Sequence, residues 1–573
     1  MKNILKSLNA IFSPKEKLKI FYLSILSLVS SLIDVLSIGL LIPLLSSILN
    51  NENNIIYISF VNKFFNNVNA ENFLQFILII FIILIILKNL FQIFFSFILT
   101  KFLITISQSI QSKLYFNYIN KEFAKLANIH TSDIFKDIDY ESGVFTNGLL
   151  SPLLVMAANV ILFISFAFFL LLYNFKVTII IGITVILLAF IFKIFLLKKV
   201  KRWGYERQAL QKNYIKILKE TFDIIREIKL LRIHKYFIQI FKQNLISLRI
   251  NGIKKSFVAS LTRPIIEVVF LILFVFIIFI EMKNPENMII SLGIYAATAF
   301  RLMPSVNLIF GSYQKTKGSV SSLNKIKDGI LIYNKFNQEK SENKKIDFKK
   351  DIKLKNIDIK HFGNNELILQ NISLNIHYGK KIGIMGISGS GKTTLLNNII
   401  GFIKPYAGKI LVDDVALDNN NLIENWQKLI SYVPQNVVLF DKSLLENITL
   451  SFDKKLNLSE TKKYENAISF AQLKNLHEKL EKSGEFVGEM GSKVSRGEAQ
   501  RIGIARAIYM NSKILVLDES TNFLDEKTEK DFLDIIKNYM KNTTILFVSH
   551  KPKSLELCDE IYKIENKKLE RIK

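Results

Sequence analysis

Long apolar runs alternate with basic connectors along the first part of the chain. Each of the six longest runs could cross the roughly 30 Å of hydrocarbon in a bilayer. The runs lie near residues 20–49, 73–105, 149–173, 175–197, 257–281 and 288–312. They predict six transmembrane helices. Apolar residues at helical spacing in the long connectors predict that these helices continue beyond the bilayer.

The connectors differ in their content of basic residues. Those after the second and fourth runs are long, and the fourth, which begins KKVKRWGYERQ, is dense with Lys and Arg. The connectors after the first, third and fifth runs hold few basic residues. Because cytoplasmic loops of membrane proteins carry an excess of Lys and Arg, both termini and the long connectors are predicted to be cytoplasmic.

The composition changes at residues 334–350, which are polar, charged and nearly free of large apolar side chains. Beyond them, short strand-like runs such as KIGIMG, KILVLDE and TTILFVS alternate with helical patterns. Such alternation is typical of a sheet flanked by helices. The sequence therefore predicts a membrane domain over 1–333, a linker over 334–350 and an α/β domain over 351–573.

The distribution of charged residues along the chain indicates which kinds of partner it binds. The chain has 573 residues, half of them hydrophobic, and a formal net charge of +27. Its Lys and Arg residues are interleaved with the apolar runs and are not gathered into one basic domain, which argues against a nucleic-acid partner and for the lipid bilayer. The single cysteine, Cys558, excludes an intrachain disulfide framework.

The segment GISGSGKTT follows the predicted strand KIGIMG and opens an amphipathic helix. Its glycines let the backbone wrap around phosphates, the helix N-terminus offers N–H donors, the lysine reaches the terminal phosphates and the first threonine can bind Mg²⁺. This is a P-loop, and it predicts a nucleotide as the ligand. The residues assigned to nucleotide binding are Gly386, Gly389, Ser390, Gly391, Lys392, Thr393 and Thr394.

The strand KILVLDE supplies the acidic partners of a P-loop. Four apolar residues carry it to Asp518, which can hold Mg²⁺ through water, and to Glu519, which can polarise an attacking water. Together with the P-loop, this pair predicts Mg²⁺-dependent nucleotide hydrolysis.

The soluble half resembles the ATPase domains of ABC transporters. The resemblance rests on the P-loop, VPQNVVLF, VSRGEAQRIGIARAI, the KILVLDE strand, NFLD and FVSH, in the family's order and approximate spacing. It implies a membrane α-helical domain of six spans joined to an α/β P-loop ATPase domain, as in a half-size ABC exporter. Such a protein works as a dimer with two ATP molecules between its ATPase domains, so a second half-transporter chain is expected as a partner.

The resemblance also implies roles for further residues. Gln435 senses the γ-phosphate and Mg²⁺, His550 contacts the γ-phosphate, Asp525 couples the two sites, and Phe362, or His361 beside it, stacks on adenine.

The signature motif that closes over the opposite subunit's ATP departs from the family's usual LSGGQ and is VSRGE. Ser495 and Gly497 are retained, whereas Arg496 replaces a glycine and Glu498 places a carboxylate near an anion. We expect slow hydrolysis. A homodimer is favoured over a heterodimer, with a weakly hydrolytic regulatory half of a heterodimer as an alternative.

Three cations, Lys88, Arg263 and Arg301, fall within the predicted spans. Because a charge inside a bilayer is costly, such residues usually have a partner or a task. If the three cations line one cavity, they could bind a lipid whose headgroup carries phosphate or diphosphate. Alternatively, Glu267 could pair with Arg263 and Asp34 with Lys88, while Arg301 has no evident acidic neighbour.

The membrane half resembles the lipid-linked-oligosaccharide flippases of bacterial protein N-glycosylation, in FRLMPSVNLIFGSYQ, in TRPIIE and in the cation midway along the second span. The resemblance implies ATP-driven outward flipping of a polyprenyl-diphosphate-linked glycan across the inner membrane. An ABC exporter of another cargo, such as a lipid A-type lipid, a peptide or a drug, has the same ATPase motifs and stays an alternative.

Overall fold

A computed structural model describes most of the chain. The described residues are 2–48, 70–180, 182–184, 187, 197–281, 285–338, 346–360, 366–452, 456–488, 491–521, 526–539 and 542–573. The chain divides into two compact units, the first comprising residues 1–121 and 129–339 and the second residues 122–128 and 340–573.

The first unit is helical throughout its described residues. Two short π-helical segments, Lys136–Glu141 and Thr146–Leu150, lie in the first half of its third long helical stretch, Thr131–Tyr173. The α-helices are Lys2–Ile11, Pro14–Gly39, Leu41–Ile48, Ala70–Ile119, Thr131–Phe135, Ser142–Phe145, Ser151–Tyr173, Leu197–Asp223, Ile225–Leu230, His234–Ser260, Thr262–Glu281, Pro285–Gly318 and Val320–Gln338. The last of these helices extends into the segment that the sequence predicts to be a linker.

Within the described residues, five helical stretches are long and apolar enough to cross a membrane: Pro14–Leu45, Gln75–Ile119, Thr131–Tyr173, His234–Phe279 and Ile290–Gly318. The predicted span 175–197 begins with the shorter apolar helix Phe175–Thr184. Of its remaining residues, only Leu187 and Leu197 lie in the described part of the chain. Large apolar side chains such as Ile93 and Phe300 are exposed along these helices, as a lipid-facing surface requires.

The second unit contains two sheets. An antiparallel sheet has the order β2-β1-β4-β5, and a largely parallel sheet has the order β10-β9-β3-β8-β7-β6. The strands are β1 Asp351–Lys360, β2 Leu367–His377, β3 Lys381–Gly386, β4 Ala407–Val412, β5 Val415–Ala416, β6 Ile430–Val433, β7 Ile514–Asp518, β8 Thr544–Val548, β9 Glu560–Glu565 and β10 Lys568–Arg571.

Helices pack around these sheets. They are Phe123–Leu126, Lys392–Ile399, Asn420–Gln427, Leu444–Thr449, Leu458–Phe470, Lys474–Ser483, Arg496–Met510, Glu526–Tyr539 and Pro552–Leu555. The central strands β7 and β8 are buried at every position, as expected of parallel strands covered on both faces.

The parallel sheet determines where the site forms. Strands β3, β6, β7 and β8 run in the same direction, so their carboxyl ends meet at one edge. In open α/β sheets ligands bind outside this edge. The P-loop, Gln435, the pair Asp518 and Glu519, and His550 all follow one of these four strands.

Candidate functional site

The P-loop joins β3 to the helix Lys392–Ile399 through a turn that only glycine adopts readily. Gly389 and Gly391 have φ angles of 81° and 100°, in the left-handed region. A Cβ atom on Gly391 would lie 3.0 Å from Cγ2 of Ile368. Glycine is therefore required here both by the backbone conformation and by the neighbouring strand β2.

The ammonium of Lys392 lies across this loop. Its Nζ donates to the carbonyl oxygens of Gly386 and Ile387, each at 3.0 Å. Burial lowers the pKa of Lys392, and the nearby carboxylates of Glu519 and Asp518 oppose that shift. The buried hydroxyl of Ser390 has no hydrogen-bond partner among the residues that the structure describes.

Asp518 lies at the carboxyl end of β7 and is buried. Its carboxylate accepts a hydrogen bond from the hydroxyl of Thr393 and another, at 3.1 Å, from the hydroxyl of Tyr432. Burial raises the pKa of Asp518, and both hydrogen bonds act in the opposite direction. The sequence analysis missed Tyr432, whose only signal is its place in the strand β6 that leads to Gln435.

Glu519 is the centre of the site. The amide of Gln435 donates to its carboxylate at 2.7 Å, and Nε2 of His550 lies 2.7 Å from the same carboxylate. The ammonium of Lys392 lies 3.9 Å away. The φ angle of Glu519 is 49°, a left-handed conformation that non-glycine residues seldom adopt and that occurs often at functional sites.

These donors fit a nucleotide with Mg²⁺. The loop places the ammonium of Lys392 and the unpartnered hydroxyl of Ser390 at the start of a helix. The first N–H groups of that helix have no intrahelical acceptors. These donors together are suited to binding phosphate. A hydroxyl and a carboxylate in contact, Thr393 and Asp518, are the oxygen ligands that Mg²⁺ prefers. Thr394 follows in the same helix.

The signature segment begins the helix Arg496–Met510, of which Gly497 is the second residue. Ser495 is its N-cap and accepts a hydrogen bond from the backbone N–H of Glu498 at 3.2 Å, while the carboxylate of Glu498 accepts from the backbone N–H of Ser495 at 2.7 Å. The carboxylate that replaces the usual glutamine thus closes a capping box on its own helix.

Two predicted site residues fall outside the described part of the chain. They are Phe362, assigned to adenine, and Asp525, assigned to coupling between sites.

In the membrane helices, the carboxylate of Asp34 forms ion pairs with two of the three predicted cations. Asp34 is 2% exposed and lies 2.8 Å from Nζ of Lys88 and 2.5 Å from Nη2 of Arg301. The pairing of Asp34 with Lys88, one of the alternatives drawn from the sequence, is confirmed. The expectation that Arg301 lacks an acidic neighbour is wrong, because its partner comes from a helix far away in the sequence.

The third cation does not join this cluster. Nε of Arg263 donates to the carboxylate of Glu267, one helical turn away, at 2.7 Å. Its side chain is 76% exposed. The structure therefore supports the internal pairing of Arg263 with Glu267.

Comparisons with known proteins agree with this architecture. The ABC transporter family profile matches residues 369–522, and the profile of the ABC transporter transmembrane region matches residues 20–299. The chain is 36% identical over 217 residues to an ATP-dependent lipid A-core flippase of Pseudoalteromonas translucida, a match covering 38% of this chain and 37% of that protein. It is 34% identical over 222 residues to the alpha-hemolysin translocation ATP-binding protein HlyB of Escherichia coli O157:H7, covering 38% and 30% of the two chains. The matches thus span about a third of the length of either relative.

A solved structure resembles the whole chain. It is that of a bacterial Atm1-family ABC exporter with ATP bound, with a TM-score of 0.76, 15% sequence identity, and coverage of 97% of this chain and 94% of the other. At that identity the likeness establishes the fold. Residues 20–299 thus match the transmembrane region of ABC transporters and residues 369–522 their ATP-binding domain, and the chain has the fold of a half-size ABC exporter.

Proposed function

We propose that this chain is one half of an ATP-driven exporter whose cargo is an anionic amphipathic lipid. The observation that carries the proposal is the convergence of Lys392, Gln435 and His550 on Glu519, beside an Asp518 that is bonded to Thr393. This arrangement supports nucleotide hydrolysis by the chain's own residues.

Each group in the site has a proposed task. Lys392 and the N-terminus of its helix bind the phosphates, and Thr393, Asp518 and Gln435 hold Mg²⁺, which offsets phosphate charge when it is bound. Glu519 orients and polarises the attacking water. Gln435 and His550, which both contact Glu519, would contact the terminal phosphate of a bound nucleotide.

The presence of Lys392, Asp518 and Glu519 in the chain itself supports a homodimer that hydrolyses ATP, in preference to a weakly hydrolytic half of a heterodimer. Ser495 and Gly497 stand at the start of a 15-residue helix, where a second chain's nucleotide could meet them. The carboxylate of Glu498 is engaged by the backbone N–H of Ser495. The carboxylate of Glu498 therefore repels a bound phosphate less strongly than a carboxylate without this hydrogen bond would.

For the cargo, the cluster Lys88, Asp34 and Arg301 is the strongest indication. Two cations against one carboxylate leave a formal charge of +1 at membrane depth, and both cations are partly exposed, at 20% and 28%. A residual positive charge in that setting favours an anionic headgroup. The specific cargo we propose is a polyprenyl-diphosphate-linked oligosaccharide. Arg263 is left out of this site because Glu267 already pairs with it.

A related lipid is the second candidate. The curated relatives include ATP-dependent lipid A-core flippases from several organisms. Their similarity to this chain covers about 38% of its length or less. We place the protein in a bacterial inner membrane, with both termini in the cytoplasm, on the strength of its basic connectors.

The ATPase proposal is tested with the full chain purified into lipid nanodiscs. Glu519→Gln should abolish most steady-state ATP hydrolysis, by about two orders of magnitude or more, while ATP still binds. Glu478→Gln, a change at an exposed glutamate of the helix Lys474–Ser483, is the matched control and should hydrolyse ATP normally. Equal rates in the two variants would contradict the proposal.

A further inference from the structure

A buried carboxylate contacts the segment that follows His550. It belongs to Glu529, the fourth residue of the helix Glu526–Tyr539, and this residue is 8% exposed. None of the nucleotide-binding motifs of the sequence includes Glu529. Because a glutamate is seldom buried without a partner, its contacts indicate what it holds in place.

Both carboxylate oxygens of Glu529 accept hydrogen bonds from this segment. Oε2 accepts from Nζ of Lys551 at 2.8 Å, and Oε1 accepts from the hydroxyl of Ser554 at 2.6 Å. Burial raises the pKa of Glu529, but hydrogen bonds, among them those from Lys551 and Ser554, outweigh burial and lower the pKa below its ordinary value. The carboxylate is therefore ionised at neutral pH, and its bond to the ammonium of Lys551 is charge-assisted.

The two donors stand at the ends of one short segment. Lys551 directly follows His550, and Ser554 is 1% exposed within the helix Pro552–Leu555. The backbone N–H of Ser554 also donates to the carbonyl of Lys551 at 3.2 Å. Glu529 therefore holds both ends of residues 551–554.

The chain on the other side of His550 is bonded to the parallel sheet. Ser549 is fully buried, and its backbone N–H donates to the carbonyl of Ile384 in β3 at 3.4 Å. His550 is thus held between β3 and Glu529. Its side chain is 40% exposed and lies 2.7 Å from the carboxylate of Glu519. A side chain that acts on a substrate needs such support to keep a defined position.

We infer that Glu529 is a positioning residue for His550. The inference rests on the proposed function, in which His550 contacts the terminal phosphate of bound ATP. Glu529 acts through Lys551 and Ser554, which it keeps in place, so that the imidazole stays directed at Glu519 and at that phosphate. Loss of the Glu529 carboxylate therefore weakens the contact with the terminal phosphate. It leaves the contacts that the P-loop makes with the other phosphates unchanged.

The first test compares a non-hydrolysable ATP analogue with ADP, using the full chain in nanodiscs. Glu529→Gln keeps the size of the side chain but removes the charge that pairs with Lys551. Because ADP lacks the terminal phosphate, the variant should bind the ATP analogue about tenfold more weakly than the wild-type protein does and ADP within about twofold of it. The kcat of ATP hydrolysis should fall about tenfold.

Asp534→Asn is the matched control for Glu529→Gln. Asp534 lies on the same helix and is exposed, and its substitution removes the same unit of negative charge. Asp534→Asn should bind both nucleotides and hydrolyse ATP as the wild-type protein does. A merely structural role of Glu529 would instead weaken the binding of the ATP analogue and of ADP alike in Glu529→Gln, and that outcome overturns the inference.

The second test replaces the other member of the ion pair. Lys551→Met removes the ammonium and should reproduce the effects of Glu529→Gln, whereas Lys551→Arg keeps a cation for the carboxylate and should retain most of the activity. Since both substitutions break one contact, the kcat of the double variant Glu529→Gln, Lys551→Met should lie within about twofold of either single variant. Losses that multiply in the double variant would mean that the two residues act separately, and they would overturn the inference.

The outcomes separate this inference from the proposed function. A wild-type protein without ATPase activity would remove the proposed function itself. An active wild-type protein in which Glu529→Gln changes neither kcat nor the affinity for the ATP analogue would overturn the inference and leave the proposed function standing.

Discussion

The Arg301 guanidinium and the Asp34 carboxylate are bonded to each other although 267 positions separate them in the chain. Asp34 is 2% exposed and also binds Lys88, so three membrane helices meet at one carboxylate. The cluster has two cations and one anion. It therefore acts both as a connection between the helices and as a residual positive charge, and these two properties can be tested separately.

Replacing the carboxylate tests the connection. Asp34→Asn leaves Lys88 and Arg301 without a counter-ion, and removing one partner of a buried pair costs about 3–5 kcal/mol. We expect a clear loss of thermal stability in detergent or nanodiscs and poor recovery of folded protein. Asp34→Glu keeps the charge and should retain much of the stability. A fully stable Asp34→Asn protein would show that the cluster does not hold these helices together.

Replacing one cation tests the residual charge. Arg301→Met leaves a neutral pair of Lys88 and Asp34, so the protein should stay folded with a smaller loss of stability than in Asp34→Asn. Stimulation of ATP hydrolysis by an anionic amphipathic lipid should nevertheless fall, because the net charge of the cluster becomes zero. The exposed Arg263→Met is the matched control and should keep the stimulation. Equal responses in the two variants would exclude a cargo role for this cluster.

The sequence predicted the nucleotide site much better than the membrane cluster, for a physical reason. The P-loop residues are contiguous, and Asp518 ends a strand that its apolar run indicates. Gln435 and His550 are implied by the resemblance of their motifs to those of ABC ATPase domains. The partner of Arg301, in contrast, depends on how distant helices pack. Hydrophobic periodicity indicates which face of a helix is apolar, but it does not say which two helices are neighbours.

The contacts of Tyr432 and Glu498 were missed for a related reason. The alternation of residues along β6 does not predict that the Tyr432 hydroxyl contacts Asp518. That contact depends on the register between β6 and β7, which places Tyr432 beside Val516. From the sequence, Glu498 is expected to place a carboxylate near an anion. The structure adds that this carboxylate caps its own helix.

Tyr432 gives a pH-dependent prediction. Its hydroxyl stabilises the ionised form of Asp518, whose pKa is already raised by burial. Tyr432→Phe should therefore raise that pKa further. Because a Mg²⁺ ligand must be ionised, the acid limb of the pH profile of Mg²⁺-ATP hydrolysis should move to higher pH. Tyr464→Phe, a change at a buried tyrosine away from Asp518, should leave the profile in place.

The contribution of Asp518 to thermal stability should respond to pH in the opposite direction. The pKa of Asp518 is higher in the folded state than its ordinary value, so this carboxyl contributes most stability at low pH. The contribution is lost as the pH rises through the folded-state pKa. If Tyr432→Phe loses both hydrolysis and stability toward low pH more steeply than the wild-type protein, the variant is losing its fold, and that result would contradict the assigned role of Tyr432.

The capping role of Glu498 predicts the effect of two substitutions at that position. Glu498→Gln retains a side-chain acceptor for the Ser495 N–H, so kcat should change less than about threefold. Glu498→Ala removes the acceptor and should destabilise the helix by about 0.5–2 kcal/mol, with slower hydrolysis. Measurements of kcat and of thermal unfolding on both variants test whether Glu498 acts as a helix cap. A large rise in kcat in Glu498→Gln would mean that the carboxylate repels the bound nucleotide after all.

Transport measured directly provides the strongest test of the whole account. The protein is reconstituted in liposomes with a fluorescent polyprenyl-diphosphate-linked sugar, and leaflet exchange is followed with and without Mg²⁺-ATP, beside a neutral amphiphile of the same chain length and the Glu519→Gln variant. We predict that exchange of the anionic lipid and ATP turnover rise together in the wild-type protein and that neither rises in Glu519→Gln. ATP-dependent exchange of the neutral amphiphile, with no response to the anionic lipid, would contradict the proposed cargo.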